Sequence, residues 1–169
     1  MSTENDNTVN SSSSEEIIFD SSETQFHSWD ELDLNPSILR GIFAYGFEKP
    51  SPIQQRAIKP IMEGRDVIAQ AQSGTGKTAT FAIGALQRVN ITDHSTQVLI
   101  LSPTRELSKQ TAKVVSNLGS FMNGLKIQTL FGGSLIEEGS CFSNKNTPHI
   151  ICGCTGPVSY THLTLPTKA

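Results

Sequence analysis

Four short apolar runs alternate with amphipathic stretches over most of this sequence. The runs are 66–69, 97–101, 125–131 and 149–152; they are short and rich in apolar residues, and we predict a strand in each, with 66–69 and 97–101 as buried strands. The segments between them place apolar residues three and four positions apart, which is typical of helices packed on a core. Strands that alternate with helices predict an α/β fold, in which a parallel sheet is flanked by helices.

Start and stop signals delimit two helices ahead of the first predicted strand. Asn35-Pro36 and Ser51-Pro52 each pair an N-cap residue with a first-turn proline, and Gly46 and Gly64 follow the two apolar stripes. The first stripe is Ile38, Leu39, Ile42 and Phe43, and the second is Ile53, Ala57, Ile58 and Ile61. A third helix is predicted from Thr78 to Arg88. A fourth has on one side Leu107, Thr111, Val114, Val115, Leu118 and Phe121.

Charge and composition separate an atypical N-terminal tail from the rest. Residues 1–25 hold six acidic residues and no Lys or Arg, and they are rich in Ser, Asn and Thr. Such a segment has too few apolar side chains to order itself, so we expect a disordered acidic tail. The net charge is −3, yet the remaining chain has 13 basic and 10 acidic residues. That mild excess is compatible with contacting a phosphate backbone.

The apolar content and the cysteines exclude several other classes. Hydrophobic residues make up 36% of the chain without a long apolar span, so we expect neither a transmembrane helix nor a signal peptide. Cys141, Cys152 and Cys154 form an odd set that does not suit a disulfide framework, which favours a reducing compartment. His149, Cys152 and Cys154 do not have the usual zinc spacing, so we expect no metal site there.

The candidate chemistry lies in a loop between the first predicted strand and the third helix. This loop, the phosphate loop, reads Ala71-Gln72-Ser73-Gly74-Thr75-Gly76-Lys77-Thr78. Small residues let backbone N–H groups converge on phosphate oxygens, Lys77 adds a positive charge and Thr78 offers a hydroxyl to Mg²⁺. A helix that begins there adds the positive end of its dipole. The loop therefore predicts ATP or GTP with Mg²⁺, although Ala71 replaces the usual first glycine. The alternative is a surface turn.

Residues around the phosphate loop resemble the first RecA-like domain of the DEAD-box RNA helicases. Residues 46–54, within the segment 27–55, are similar to the Q motif of that family. Pro103-Thr104-Arg105-Glu106-Leu107 resembles the element that grips the RNA backbone, and Gly132-Gly133 resembles the next such element. The resemblance covers roughly residues 26–153. It implies a RecA-like P-loop domain, here incomplete, and an ATP-dependent RNA helicase that separates short duplexes.

The resemblance also implies roles for single residues. Gln54 is expected to read the adenine edge, since an amide both donates and accepts hydrogen bonds. Trp29 is expected to pack on the base, and Phe47 belongs to the same nucleotide site. Lys77 and Thr78 are the expected catalytic residues. The residues expected to contact the RNA backbone, independently of sequence, are Pro103, Thr104, Arg105, Gly132 and Gly133. Taken alone, Gln54 would be a helix surface residue and Trp29 a core anchor.

The stretch 39–47, together with Phe81, is similar to the translation-initiation branch of the family and to its exon-junction relative. These residues are compatible with both branches and do not distinguish them. The resemblance implies a monomer that binds RNA and translation-initiation scaffold proteins without membrane association. Its expected location is the cytoplasm, or the nucleus for the exon-junction branch.

The resemblance stops after Gly153. The family pattern continues with Thr-Pro-Gly-Arg, whereas this chain has Cys154-Thr155-Gly156-Pro157 and then neither the Asp-Glu-Ala-Asp motif nor a second RecA-like domain. Residues 158–163 back-translate into a sequence that resembles a transposon-end adaptor from sequencing libraries. We therefore expect 154–169 to be a non-native tail on a truncated helicase that lacks hydrolysis. The alternative is a genuine polar tail.

Two further functions compete with the helicase interpretation. A natural ATP-binding fragment would compete with the full helicase for partners. A GTPase would need Asn-Lys-x-Asp to recognise guanine, and Asn144-Lys145-Asn146-Thr147 lacks the final carboxylate. The sequence therefore favours ATP over GTP.

Overall fold

The computed structural model describes residues 25–130 and 147–154. A short 3-10 turn, Trp29–Glu31, comes first. The helices are α1 (Pro36–Ala44), α2 (Pro52–Met62), α3 (Lys77–Arg88) and α4 (Arg105–Leu118), and the strands are β1 (Val98–Ser102), β2 (Ile127–Leu130) and β3 (Ile150–Cys154). The predicted acidic tail up to residue 24, Cys141, the glycine pair 132–133, residues 144–146 and the tail from 155 lie outside the described residues.

The three strands form one parallel sheet in the order β1-β3-β2. The central strand β3 is buried along its length, and its Ile151 lies opposite Leu99 on one side and Gln128 on the other. Helix α4 connects β1 to β2, as a parallel arrangement requires a crossover. The predicted parallel sheet flanked by helices is confirmed.

The helices begin where the sequence places their caps. Asn35 Oδ1 accepts a hydrogen bond from Ser37 N at 2.9 Å, and Gln54 Oε1 accepts one from Ser51 N at 2.8 Å. Thr104 Oγ1 accepts a hydrogen bond from Leu107 N at 3.2 Å and so caps α4. These contacts satisfy backbone N–H groups that have no partner within their helix.

One hydrophobic core joins the four helices to the inner face of the sheet. Its fully buried members include Ile38, Ile42, Ile58, Ala82, Ile83, Leu86, Val115, Leu118, Ile150 and Cys152. The approach of α1 to the end of α4 is so close that a Cβ on Gly41 would lie 1.9 Å from the Leu118 carbonyl oxygen. Only a glycine permits that backbone contact.

The predicted strand over 66–69 is wrong. These residues are irregular, and the Ile68 side chain is 98% exposed. β1 also differs from the prediction of a buried strand, because Leu99 and Leu101 are each 47% exposed. A strand is stabilised by neighbours that accept its hydrogen bonds and cover its side chains. Among the described residues, no strand pairs with 66–69 or with the outer edge of β1.

Three apolar positions at the margins of the predicted helix stripes are not core positions. Phe43 and Leu107 are exposed, and Phe121 lies beyond the end of α4 with the Arg40 guanidinium 4.1 Å from its ring centroid. Helices α1 and α4 therefore bury a narrower face than their apolar residues suggested, because only residues that point at the sheet or a neighbouring helix are covered. Within the described residues, no helix is long and apolar enough to cross a lipid bilayer.

Candidate nucleotide-binding site

The phosphate loop turns sharply and then becomes the first turn of α3. Gly74 and Gly76 have φ values of +81° and +92°, a region that side chains other than glycine rarely adopt. Thr75 Oγ1 donates to the Gln72 carbonyl at 2.8 Å and closes the loop on itself. The backbone N–H groups of the first turn of α3 have no helical partner, so they can bind an anion.

A positive charge is fixed at this loop. The Lys77 ammonium donates hydrogen bonds to the carbonyls of Ala71 and Gln72, at the start of the loop. Thr78 follows in the first turn of α3 with a partly exposed side chain. The loop thus combines backbone N–H donors, an ammonium and a hydroxyl, which is the donor set that suits a nucleotide's phosphates and a magnesium ion.

The N-terminus of α2 is bonded to the phosphate loop. Ser51 Oγ donates to the Thr75 carbonyl at 2.8 Å, while Ser51 N donates to Gln54 Oε1. Gln54 is 1% exposed, so it is not the helix surface residue of the structural alternative. A Cβ on Gly76 would lie 2.8 Å from Gln54 Nε2. The expected base-reading amide therefore lies against the phosphate loop.

The expected packing of Trp29 on a nucleotide base is not what the structure shows. Trp29 is 1% exposed, and its ring lies in the core with its centroid 5.9 Å from that of Phe26. Its indole N–H donates to the Phe47 carbonyl at 3.1 Å. Because the ring is enclosed, Trp29 is a core anchor that fixes the backbone of Phe47. The Phe47 side chain itself is partly exposed, and its ring centroid lies 4.9 Å from that of Tyr45.

Ser51 is a site residue that sequence reasoning missed. The sequence identified it as the start of α2, since it precedes Pro52. Its hydroxyl bond to Thr75 spans 24 positions of the chain, and a local pattern gives no sign of such a contact. The one signal that could have found it was its place within the segment that resembles the Q motif.

The predicted RNA-contacting residues form the junction between β1 and α4. Pro103, Thr104 and Arg105 are all exposed, and Arg105 is the first residue of α4. They lie at the carboxyl end of β1, where parallel α/β sheets bind their ligands. Gly132 and Gly133 lie outside the described residues.

Comparison with known proteins identifies relatives over most of the chain. The sequence pattern of the family described as DEAD/DEAH box helicase matches residues 51–168. A protein of Debaryomyces hansenii named ATP-dependent RNA helicase eIF4A is 52% identical over 132 residues, which are 78% of this chain and 33% of that protein. The protein of that name from Aspergillus clavatus is 53% identical over 131 residues, or 78% of this chain and 32% of its own.

Solved structures give the same fold. A DEAD box protein from the hyperthermophile Methanococcus jannaschii superposes with a TM-score of 0.70 at 34% identity, covering 78% of this chain and 35% of that one. Dbp5 of S. cerevisiae, bound to RNA and ADP BeF3, gives 0.69 at 43% identity over 78% of this chain and 32% of its own. The chain spans about a third of the length of the curated relatives it matches. With its RecA-like fold, its phosphate loop and these matches, the chain belongs to the DEAD/DEAH box helicase family.

Proposed function

We propose that this chain is the N-terminal part of an ATP-dependent RNA helicase that binds ATP and the RNA backbone and couples ATP hydrolysis to RNA duplex unwinding. The observation that carries the proposal is the bonded unit of α2 and the phosphate loop, in which Ser51 joins Thr75 and Gln54 lies against Gly76. In this proposal Gln54 is the base-reading side chain, and its proximity to Gly76 supports a base site next to the phosphate site. The helicase relatives named eIF4A support a role in translation initiation.

Each part of the nucleotide would have its own residues. Lys77 and the backbone N–H groups of the loop hold the phosphates, since a charge-assisted hydrogen bond is about twice as strong as a neutral one. The Thr78 hydroxyl would hold Mg²⁺, which neutralises charge on the phosphate oxygens. Gln54 would select adenine through its amide, and the partly exposed Phe47 ring would offer an apolar surface to the base. Trp29 contributes indirectly by fixing Phe47.

RNA would lie against the exposed junction at the start of α4. Arg105 pairs with a phosphate, and Pro103 and Thr104 shape the backbone beside it. These are contacts to the backbone, so they carry no preference for base sequence. By analogy with the initiation factors, the protein is a cytoplasmic monomer with scaffold partners, or a nuclear one in the exon-junction branch.

The chain alone should bind nucleotide without RNA-stimulated hydrolysis. Phosphoryl transfer also needs a group that orients the attacking water and an arginine that neutralises developing charge. Lys77 and Thr78 supply neither role. The assay compares ATP turnover by this chain and by a full-length relative, with and without single-stranded RNA. RNA-dependent turnover near the relative's rate, abolished by Lys77→Ala, would contradict the proposal.

Nucleotide selectivity tests the proposal directly. Unlabelled ATP should displace a fluorescent adenine nucleotide from the chain far better than GTP does. Lys77→Ala should weaken ATP and GTP alike, by roughly 10- to 100-fold, because a charged hydrogen bond contributes about 1.5–3 kcal/mol. Gln54→Ala should instead reduce the ratio between them. Lys59→Ala, on the exposed side of α2, is the matched control. Equal displacement by ATP and GTP would refute the adenine site.

A further inference from the structure

We propose that α4 extends the RNA contact beyond its first residue, through a basic stripe formed by Arg105, Lys109 and Lys113. The inference rests on the proposed RNA binding and adds two residues, Lys109 and Lys113, that no resemblance assigns. The stripe would hold the phosphates of a single RNA strand that continues along the helix from the junction at Pro103–Arg105.

Helix geometry places the three side chains on one face. They are four residues apart on an uninterrupted helix, Arg105–Leu118. Four residues correspond to about 6 Å of rise and a rotation of about 40° beyond a full turn. The three cations therefore follow a gently curving line roughly 12 Å long on the surface of α4.

The opposite face of α4 fixes which way the stripe points. Ser108, Thr111, Val115 and Leu118 are buried, and Val115 and Leu118 belong to the core against α3 and the sheet. Arg105, Lys109 and Lys113 are exposed. Because the buried face is held by the core, α4 cannot rotate and the stripe is presented to solvent.

Basic residues outnumber acidic residues on this helix. Arg105, Lys109 and Lys113 are opposed within α4 by one acidic residue, Glu106. Glu106 lies on the same exposed face, one turn before Lys109 and about 20° round the helix from Lys113, so it offsets part of the positive charge and leaves three cations against one carboxylate. The N-terminal end of the helix adds the positive end of the dipole beside Arg105. The surface therefore carries positive potential that begins at the predicted RNA contact and continues along α4.

The residue types favour a nucleic-acid strand over a protein partner. Protein interfaces are enriched in aromatic residues and depleted of lysine. The stripe has two lysines, and Ser116 and Asn117 continue its exposed surface. Cations spaced by one helical turn match the repeated charge of a phosphate backbone, which attracts them without regard to sequence.

The experiment measures the salt dependence of RNA binding. The intact chain is titrated against a fluorescein-labelled uridine oligonucleotide of about 20 nucleotides, at several salt concentrations. The variants are Arg105→Gln, Lys109→Gln, Lys113→Gln and the double lysine variant, each of which keeps a helix-forming side chain. Lys59→Gln on α2 is the matched control, as it removes the same charge from an exposed helix position without changing the stripe.

Removing one lysine–phosphate interaction should lower the slope of log K against log salt by about 0.7 for a single strand. The slope of the double variant should therefore be about 1.4 lower. The ratio of the parent's RNA affinity to that of the double variant should then fall about sevenfold between about 50 and 200 mM salt. Lys59→Gln should leave the slope unchanged.

The outcomes separate the inference from the proposed function. If the parent chain does not bind RNA at low salt, the proposed RNA binding fails and the stripe with it. If Arg105→Gln lowers the slope while the lysine variants do not, the RNA contact stands but the stripe is refuted. A change in Lys59→Gln equal to that of the lysine variants also refutes it, since the effect would then come from net charge. Competition by polyglutamate as effective as by RNA would refute the assignment to a nucleic-acid strand.

Discussion

Replacing Gly76 by alanine should destabilise the protein more than the same replacement at Gly74. Both glycines have positive φ, +92° and +81°, so each alanine carries a strain of about 1–2 kcal/mol. The two sites differ in their surroundings. A Cβ at position 74 meets nothing within 4 Å, whereas a Cβ at position 76 lies 2.8 Å from Gln54 Nε2.

The additional cost at Gly76 comes from Gln54. To make room, this buried side chain must shift and weaken its hydrogen bond with Ser51 N. Breaking a hydrogen bond costs about 0.5–1.5 kcal/mol, and leaving a buried group unpaired costs about 1–3 kcal/mol. We therefore expect about 1–2 kcal/mol of destabilisation for Gly74→Ala and about 2–4 kcal/mol for Gly76→Ala.

Urea unfolding of the nucleotide-free protein measures both changes. Combining Gly76→Ala with Gln54→Ala isolates the contact, because the second substitution removes the side chain that the Cβ meets. The cost of Gly76→Ala should fall towards that of Gly74→Ala in a Gln54→Ala background. Equal costs for the two glycine variants, or an unchanged cost in the Gln54→Ala background, would refute the contact between Gln54 and Gly76.

Three further predictions concern the core. Gly41→Ala should lower the free energy of unfolding, measured in urea, by at least about 1–3 kcal/mol, because its Cβ would clash with the Leu118 carbonyl oxygen. This clash outweighs the gain of about 1 kcal/mol in helix propensity. An unchanged or higher stability would contradict the prediction. Trp29→Phe removes the indole N–H that donates to the Phe47 carbonyl, so it should lower the Tm without changing the preference for ATP over GTP. Loss of that preference at an unchanged Tm would instead show that Trp29 packs directly on the base. Burial raises the pKa of the Cys152 thiol to about 11, so its contribution to stability should be complete below about pH 9 and lost as the pH rises through 11. Urea titrations between about pH 9 and 11 should show that Cys152→Ala loses less stability than the parent chain as the pH rises. An equal loss in the two proteins would show that the Cys152 thiol does not cause it.

The sequence by itself determined the local chemistry and most element boundaries. The caps at Asn35, Ser51 and Thr104 and the apolar stripes placed the helices, since these signals act within a few residues. The glycines and Lys77 identified the phosphate loop, because close backbone approach and a fixed charge need those residue types. The family followed from the order of the motifs around that loop.

Only the tertiary structure decided which of these residues are covered and what they touch. Residues 66–69 have the composition of a buried strand, yet Ile68 is exposed because no described strand lies beside it. Trp29 and Gln54 were both assigned to the base, and the fold buries one in the core and places the other against Gly76. Burial and long-range hydrogen bonds depend on neighbours that are distant in the chain, and local sequence patterns do not contain them.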